Sequence, residues 1–134
     1  MIQKESYPVA RILPLLGYER IELDGDVVRG DSLRLLNFKV HGIVCVTCGI
    51  EGVFFRKEKH HVRDVSFHLN LYAIGSDGTE VLMTKDHIIP VRLKGMVKGI
   101  ETLENMQPMC APCNVLKGGK HTIDLSNPST CGQI

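Results

Sequence analysis

Four residues in the second half of the chain have side chains suited to splitting a phosphodiester. Asp86 and His87 are adjacent, Asn105 follows the histidine by 18 residues, and Asn114 comes nine further on. Hydrolysis of such an ester needs an activated water, a Lewis acid on the phosphate and help for the leaving oxygen. A neutral imidazole is a suitable base near pH 7. Carboxylate and amide oxygens suit a hard cation such as Mg²⁺ or Mn²⁺. An acid–histidine pair followed by two amides at these intervals can therefore build a metal-dependent nuclease site. Taken singly, each residue has a plainer role: a hydrogen-bonded strand end, a turn residue, a polar residue early in a helix. The combination carries the inference.

A second set of residues is interleaved with the first. Cys45-Val46-Thr47-Cys48 and Cys110-Ala111-Pro112-Cys113 are two CxxC pairs separated by a long insert. That is the spacing of a tetrahedral four-cysteine zinc site. Such a site is closed, so its Zn²⁺ is structural, and it would clip residue 45 to residue 113. Disulfides or unligated thiols are the alternatives. A reducing compartment favours metal over disulfide. Cys131, the fifth cysteine, has no partner in the pattern.

The elements that must position these groups can be read in outline. Asp24-Gly25 between Arg20–Leu23 and Val27–Arg29 signals a hairpin. Ser32–Phe38 reads as either a short helix or a short strand. Val40–Phe55 suits a zinc knuckle between two strands, with Gly49 and Gly52 permitting unusual dihedrals. Val53–Arg56 reads as a strand and Lys57–His61 as a polar loop. Phe67–Ile74 and Val81–Thr84, joined by Gly75-Ser76-Asp77-Gly78, form a second hairpin whose outgoing strand delivers Asp86 and His87. Pro112–Leu116 opens a helix with proline just inside its start, and Gly118-Gly119 stops it.

The chain has 134 residues and a formal charge of +1. One domain is expected from that length. Charge alone does not point to nucleic acid. Residues 85–120 are mildly basic, with six Lys or Arg against three acids. Arg92, Lys94, Lys98 and Lys117 are thus candidate phosphate contacts, with solvated surface the equal alternative. The opening residues lack the apolar stretch of a signal peptide, and no apolar run reaches membrane-spanning length. A cytoplasmic protein is the expectation.

Asp86-His87-Ile88-Ile89-Pro90, Asn105–Cys110 and Cys113–Gly118 together resemble the HNH family of ββα-metal endonucleases, in its branch with a four-cysteine zinc site. The resemblance covers roughly residues 40–120, and Phe67–Pro90 is similar to HNH proteins common in bacteriophage genomes. It implies an α+β fold: a zinc-stapled ββα-metal module over residues 40–121. An N-terminal β-rich extension, 1–39, would pack on it, and a tail, 122–134, would follow. It implies His87 as general base and Asp86 and Asn114 as ligands of a catalytic Mg²⁺ or Mn²⁺. Asn105 would hold the loop and orient the base. The family often has His directly after the last Cys. Asn114 in that position weakens Zn²⁺ or Ni²⁺ as the catalytic metal. His121 is a poor substitute, lying past Gly118-Gly119. The family also often has a Lys-Gly-Gly turn after Pro90, where this chain has Arg92-Leu93-Lys94-Gly95-Met96. The implied partner is DNA, double-stranded and read with low sequence specificity. A double-strand cut would favour a homodimer. Two rival readings are a non-catalytic zinc-stabilised DNA- or protein-binding module and a nuclease selective for junctions or nicks.

Overall fold

A computed structural model describes residues 2–89 and 101–118. The fold is mixed α+β, as expected. Five strands form one antiparallel sheet. In spatial order they are β1 (Ile2–Pro8), β4 (Phe54–Lys59), β5 (His68–Ile74), β6 (Glu80–His87) and β7 (Met106–Cys110). A separate hairpin joins β2 (Ile21–Leu23) to β3 (Asp26–Val28). Asp24 and Gly25 both have positive φ, at 48° and 85°, as a tight two-residue hairpin loop requires. The helices are α1 (Val9–Ile12), α2 (Leu33–His41) and α3 (Ala111–Lys117).

Strand β6 changes partner along its length. Glu80–Leu82 pair with β5, and Met83–His87 pair with β7. The half that carries Asp86 and His87 is therefore held by the strand leading directly into α3. Alternation sorts the side chains. Val81 and Met83 point into the core with Phe55, Leu69, Leu71 and Ala73 of β4 and β5. On β6, Thr84 and Asp86 share the opposite face with Leu82.

Several local readings are settled or corrected by the structure. Ser32–Phe38 is helical: Ser32 caps α2, its hydroxyl accepting from Leu35 N at 3.3 Å. A helix, not a strand, thus enters the zinc knuckle. Gly49 has φ 81°, but Gly52 is needed for space: a Cβ there would lie 2.7 Å from the Leu71 side chain. Lys57–His61 is not a loop at its start, because β4 runs to Lys59 with Lys57 and Glu58 buried.

Those buried charges tie the first residues to the sheet. β1 pairs with β4 from Ile2↔Lys59 to Pro8↔Phe54, so residues 1–39 contribute a strand to the main sheet. Lys57 Nζ lies 2.8 Å from Asp26, 3.1 Å from Glu5 and 2.7 Å from the Leu23 carbonyl. Burial disfavours the ammonium, but hydrogen bonds to Asp26 and Glu5 outweigh it and raise its pKa. The Asp26 carboxyl is lowered, chiefly by that bond to Lys57. Glu5 is lowered by its backbone hydrogen bond and then by Lys57. Carboxylates lowered on folding stabilise above their unfolded pKa, and the contribution is lost as pH falls through the folded one. The melting temperature should therefore drop as pH is lowered from about 5 to about 3. A Lys57→Met variant should show a shallower drop across the same window, because its carboxylates have no ammonium to lose.

Candidate functional site

The four cysteines converge. Their Sγ atoms all lie within 4.8 Å of one another, and Cys45, Cys110 and Cys113 are buried. No disulfide joins them. Cys48 Sγ and Cys110 Sγ are 3.8 Å apart, far beyond a covalent S–S bond. Thiolates about 2.3 Å from a tetrahedral ion are about 3.8 Å from each other, so this separation fits zinc. The first pair sits in a knuckle closed by Cys45 N donating to Ile50 O at 2.8 Å and by a Val44–Glu51 bridge. Val46 N donates to Pro108 O at 3.1 Å and docks the knuckle on β7. Cys110 ends β7 and Cys113 lies in the first turn of α3. The Cys45 thiol is pushed down to about 4, first by its hydrogen bond with Cys110 and against the effect of burial; backbone amides nearby assist. A thiol ready to ionise is what metal ligation requires.

Helix α3 lies against the Thr84/Asp86 face of β6. Asn114 and Lys117, three apart, point the same way from the helix. Asn114 Nδ2 donates to Thr84 Oγ1 at 2.8 Å and to the Lys85 carbonyl at 3.1 Å. A carbonyl can only accept, so this contact fixes the amide orientation and leaves Oδ1 as the outward acceptor. Thr84 in turn donates to the Met109 carbonyl at 2.8 Å. Asp86 is 5% exposed. Its Oδ2 accepts from Lys117 Nζ at 2.5 Å and from Gln107 Nε2 at 2.9 Å. No hydrogen bond among the described residues uses Asp86 Oδ1 or Asn114 Oδ1. Those two hard oxygens, on facing elements, are the donors a divalent ion could take.

His87 leaves β6 on the other face. Its Nε2 is 3.0 Å from Glu101 Oε1, and the same oxygen accepts from Lys85 Nζ at 2.6 Å. The backbone beyond is clamped by Asn105. The Ile89 amide donates to Asn105 Oδ1 at 2.9 Å, and Asn105 Nδ2 donates to the Ile89 carbonyl at 3.0 Å. Ile88 N donates to the Asn105 carbonyl at 2.9 Å. One side chain thus imitates a strand partner for the segment after His87.

Residues 75–124 match the HNH endonuclease family. That HNH segment includes β6, β7 and α3, and so holds Asp86, His87, Asn105 and Asn114 with the second cysteine pair. The first pair, Cys45 and Cys48, lies upstream of the matched residues. No curated protein and no solved structure gives a significant match.

Of the expected phosphate contacts, Lys117 lies elsewhere. It is 2% exposed, and its ammonium is engaged by Asp86 and by the His87 carbonyl at 2.6 Å. It is part of the site's interior rather than its surface. Arg92, Lys94, Lys98, His121 and Cys131 lie outside the described residues. The geometry adds Thr84, Gln107, Lys85 and Glu101 to the HNH segment's polar set. Thr84 has a sequence signal, alternation with Asp86 on one strand face. Glu101 has none, because it is far in sequence from the strand residues it meets, Lys85 and His87.

Proposed function

We propose that this protein is a metal-dependent endonuclease that hydrolyses DNA phosphodiester bonds, with His87 as general base. The observation that carries this is the Asn105 clamp. A buried asparagine whose carbonyl and amide both pair with the Ile89 backbone holds the segment after His87, while β7 holds the strand before it. The imidazole is therefore presented from a rigid strand end, on the residue next to Asp86 in β6. Preorganisation of this kind is what catalysis rewards.

Asp86 Oδ1 and Asn114 Oδ1 would hold a Mg²⁺ or Mn²⁺ ion, which when bound polarises the scissile phosphate and stabilises the leaving 3′-oxygen. His87 accepts the proton of the attacking water. Asn105 fixes the backbone on which His87 sits. Zn²⁺ on Cys45, Cys48, Cys110 and Cys113 is structural in this reading, since four thiolates leave no open position. These thiols need a reducing compartment, which the cytoplasm supplies. Arg92, Lys94 and Lys98 are the proposed contacts to double-stranded DNA. Such contacts position the duplex without reading its sequence, so low specificity follows.

The rival, a non-catalytic DNA- or protein-binding module, draws on one observation: Asp86 is already neutralised by Lys117. Plasmid incubated with purified protein and Mg²⁺ or Mn²⁺ separates the two. Cleavage is expected, slower by about 10²- to 10⁴-fold in His87→Ala. Equal cleavage by both proteins would sink the role of His87, and binding without cleavage would give the site to the rival.

A further inference from the structure

The nuclease reading leaves open which nitrogen of His87 faces the water and what holds the ring. Nε2 is shielded from solvent and, among the described residues, makes no aligned hydrogen bond, yet it sits 3.0 Å from Glu101 Oε1. Catalytic hydrogen bonds in unliganded structures are often at contact distance without alignment. A small ring rotation brings the Nε2–H onto the carboxylate. Glu101 is itself tethered, because Lys85 Nζ donates to the same oxygen at 2.6 Å. Lys85 and His87 are two apart on β6 and project from the same face, so one carboxylate spans both.

Resting on the proposed nuclease activity, we propose that Glu101 is a positioning residue for His87: it holds the Nε2 edge of the imidazole, fixes the Nε2–H tautomer and turns Nδ1 toward the attacking water. A neutral imidazole carries one proton, so a partner that accepts from Nε2–H leaves the Nδ1 lone pair as the base. In the reaction, Nδ1 takes a proton from water and the water oxygen forms its bond to phosphorus. The bond from phosphorus to the 3′-oxygen breaks with its electron pair on that oxygen, which solvent water protonates. The resulting imidazolium keeps its Nε2–H on Glu101 while the charge is present. Lys85 keeps the carboxylate from swinging into solvent, where it is half exposed.

The test reads the ring directly. In ¹⁵N-labelled, zinc-loaded protein at about pH 8, where an ordinary histidine is neutral, two-bond ¹H–¹⁵N correlation distinguishes the tautomers. His87 is assigned as the signal lost in His87→Asn. Wild type should show the Nε2–H form, and Glu101→Ala and Glu101→Gln should show a mixture. In the cleavage assay Glu101→Ala should lower kcat by about 10- to 100-fold with KM nearly unchanged, as loss of an orienting partner does. Glu101→Asp should recover part of the loss. An unchanged tautomer in Glu101→Ala, or an unchanged kcat, overturns the role. If wild type does not cleave at all, the nuclease reading fails, and the tautomer result still decides whether Glu101 holds the ring.

Discussion

Stripping the metal from Cys45, Cys48, Cys110 and Cys113 is expected to unfold the chain, not merely to soften it. The four sulfurs join the knuckle after α2 to the junction of β7 and α3, 68 residues away at the extremes. Cys45, Cys110 and Cys113 also belong to the buried core cluster. Without the ion, several thiols that repel one another as thiolates are crowded within 4.8 Å. Structural zinc contributes about 10 kcal/mol or more in small domains, and total stability for a domain is about 5–15 kcal/mol. The first figure consumes most or all of the second. A strong chelator, with zinc loss verified by metal analysis, should abolish the cooperative thermal transition seen by circular dichroism. Cys113→Ser should give the same result without chelator. An unchanged melting temperature after verified removal would mean that packing of β7 on β6 suffices, and the zinc assignment would lose its structural meaning.

What was legible in the sequence follows from how local each constraint is. Zinc ligation fixes both residue type and spacing, so the two CxxC pairs could be read directly. The Asp24-Gly25 turn, the Gly75–Gly78 turn and the proline at the start of α3 are local chemistry too. Strand β7 was hidden because Pro108 argues against a strand. It is tolerated because β7 is an edge strand, where a missing donor is cheap. Lys57 and Glu58 read as loop because charges are rarely buried. Their partners, Asp26 and Glu5 for Lys57, and Gln3, Asn70 and Tyr72 for Glu58, come from distant strands and the first hairpin. Lys117 was misplaced for the same reason. A lysine near a helix end reads as a surface cation, and only the packing of α3 on β6 turns it inward to Asp86.

That inward lysine makes Lys117→Met the second large expected effect. The substitution keeps most of the volume and removes the charge, leaving Asp86 buried with Gln107 as its one side-chain donor among the described residues. Breaking one side of a buried ion pair costs about 3–5 kcal/mol, because the remaining charge is uncompensated. Urea melts of the zinc-loaded protein should show that loss. The double variant Asp86→Asn, Lys117→Met should regain much of it, since no charge is then stranded. Divalent ions sharpen the argument. In wild type, Lys117 already supplies the positive charge beside Asp86 Oδ2, so an added cation gains less there. In Lys117→Met, Mg²⁺ or Mn²⁺ would replace the one ion-pair partner that Asp86 has among the described residues. Its binding should raise stability more steeply with concentration than in wild type, as linkage requires. Equal metal stabilisation of both proteins would show that Asp86 does not take the cation. A larger gain in the variant would mean that Lys117 and the metal compete for one carboxylate, so that the lysine sets how readily the site accepts its ion.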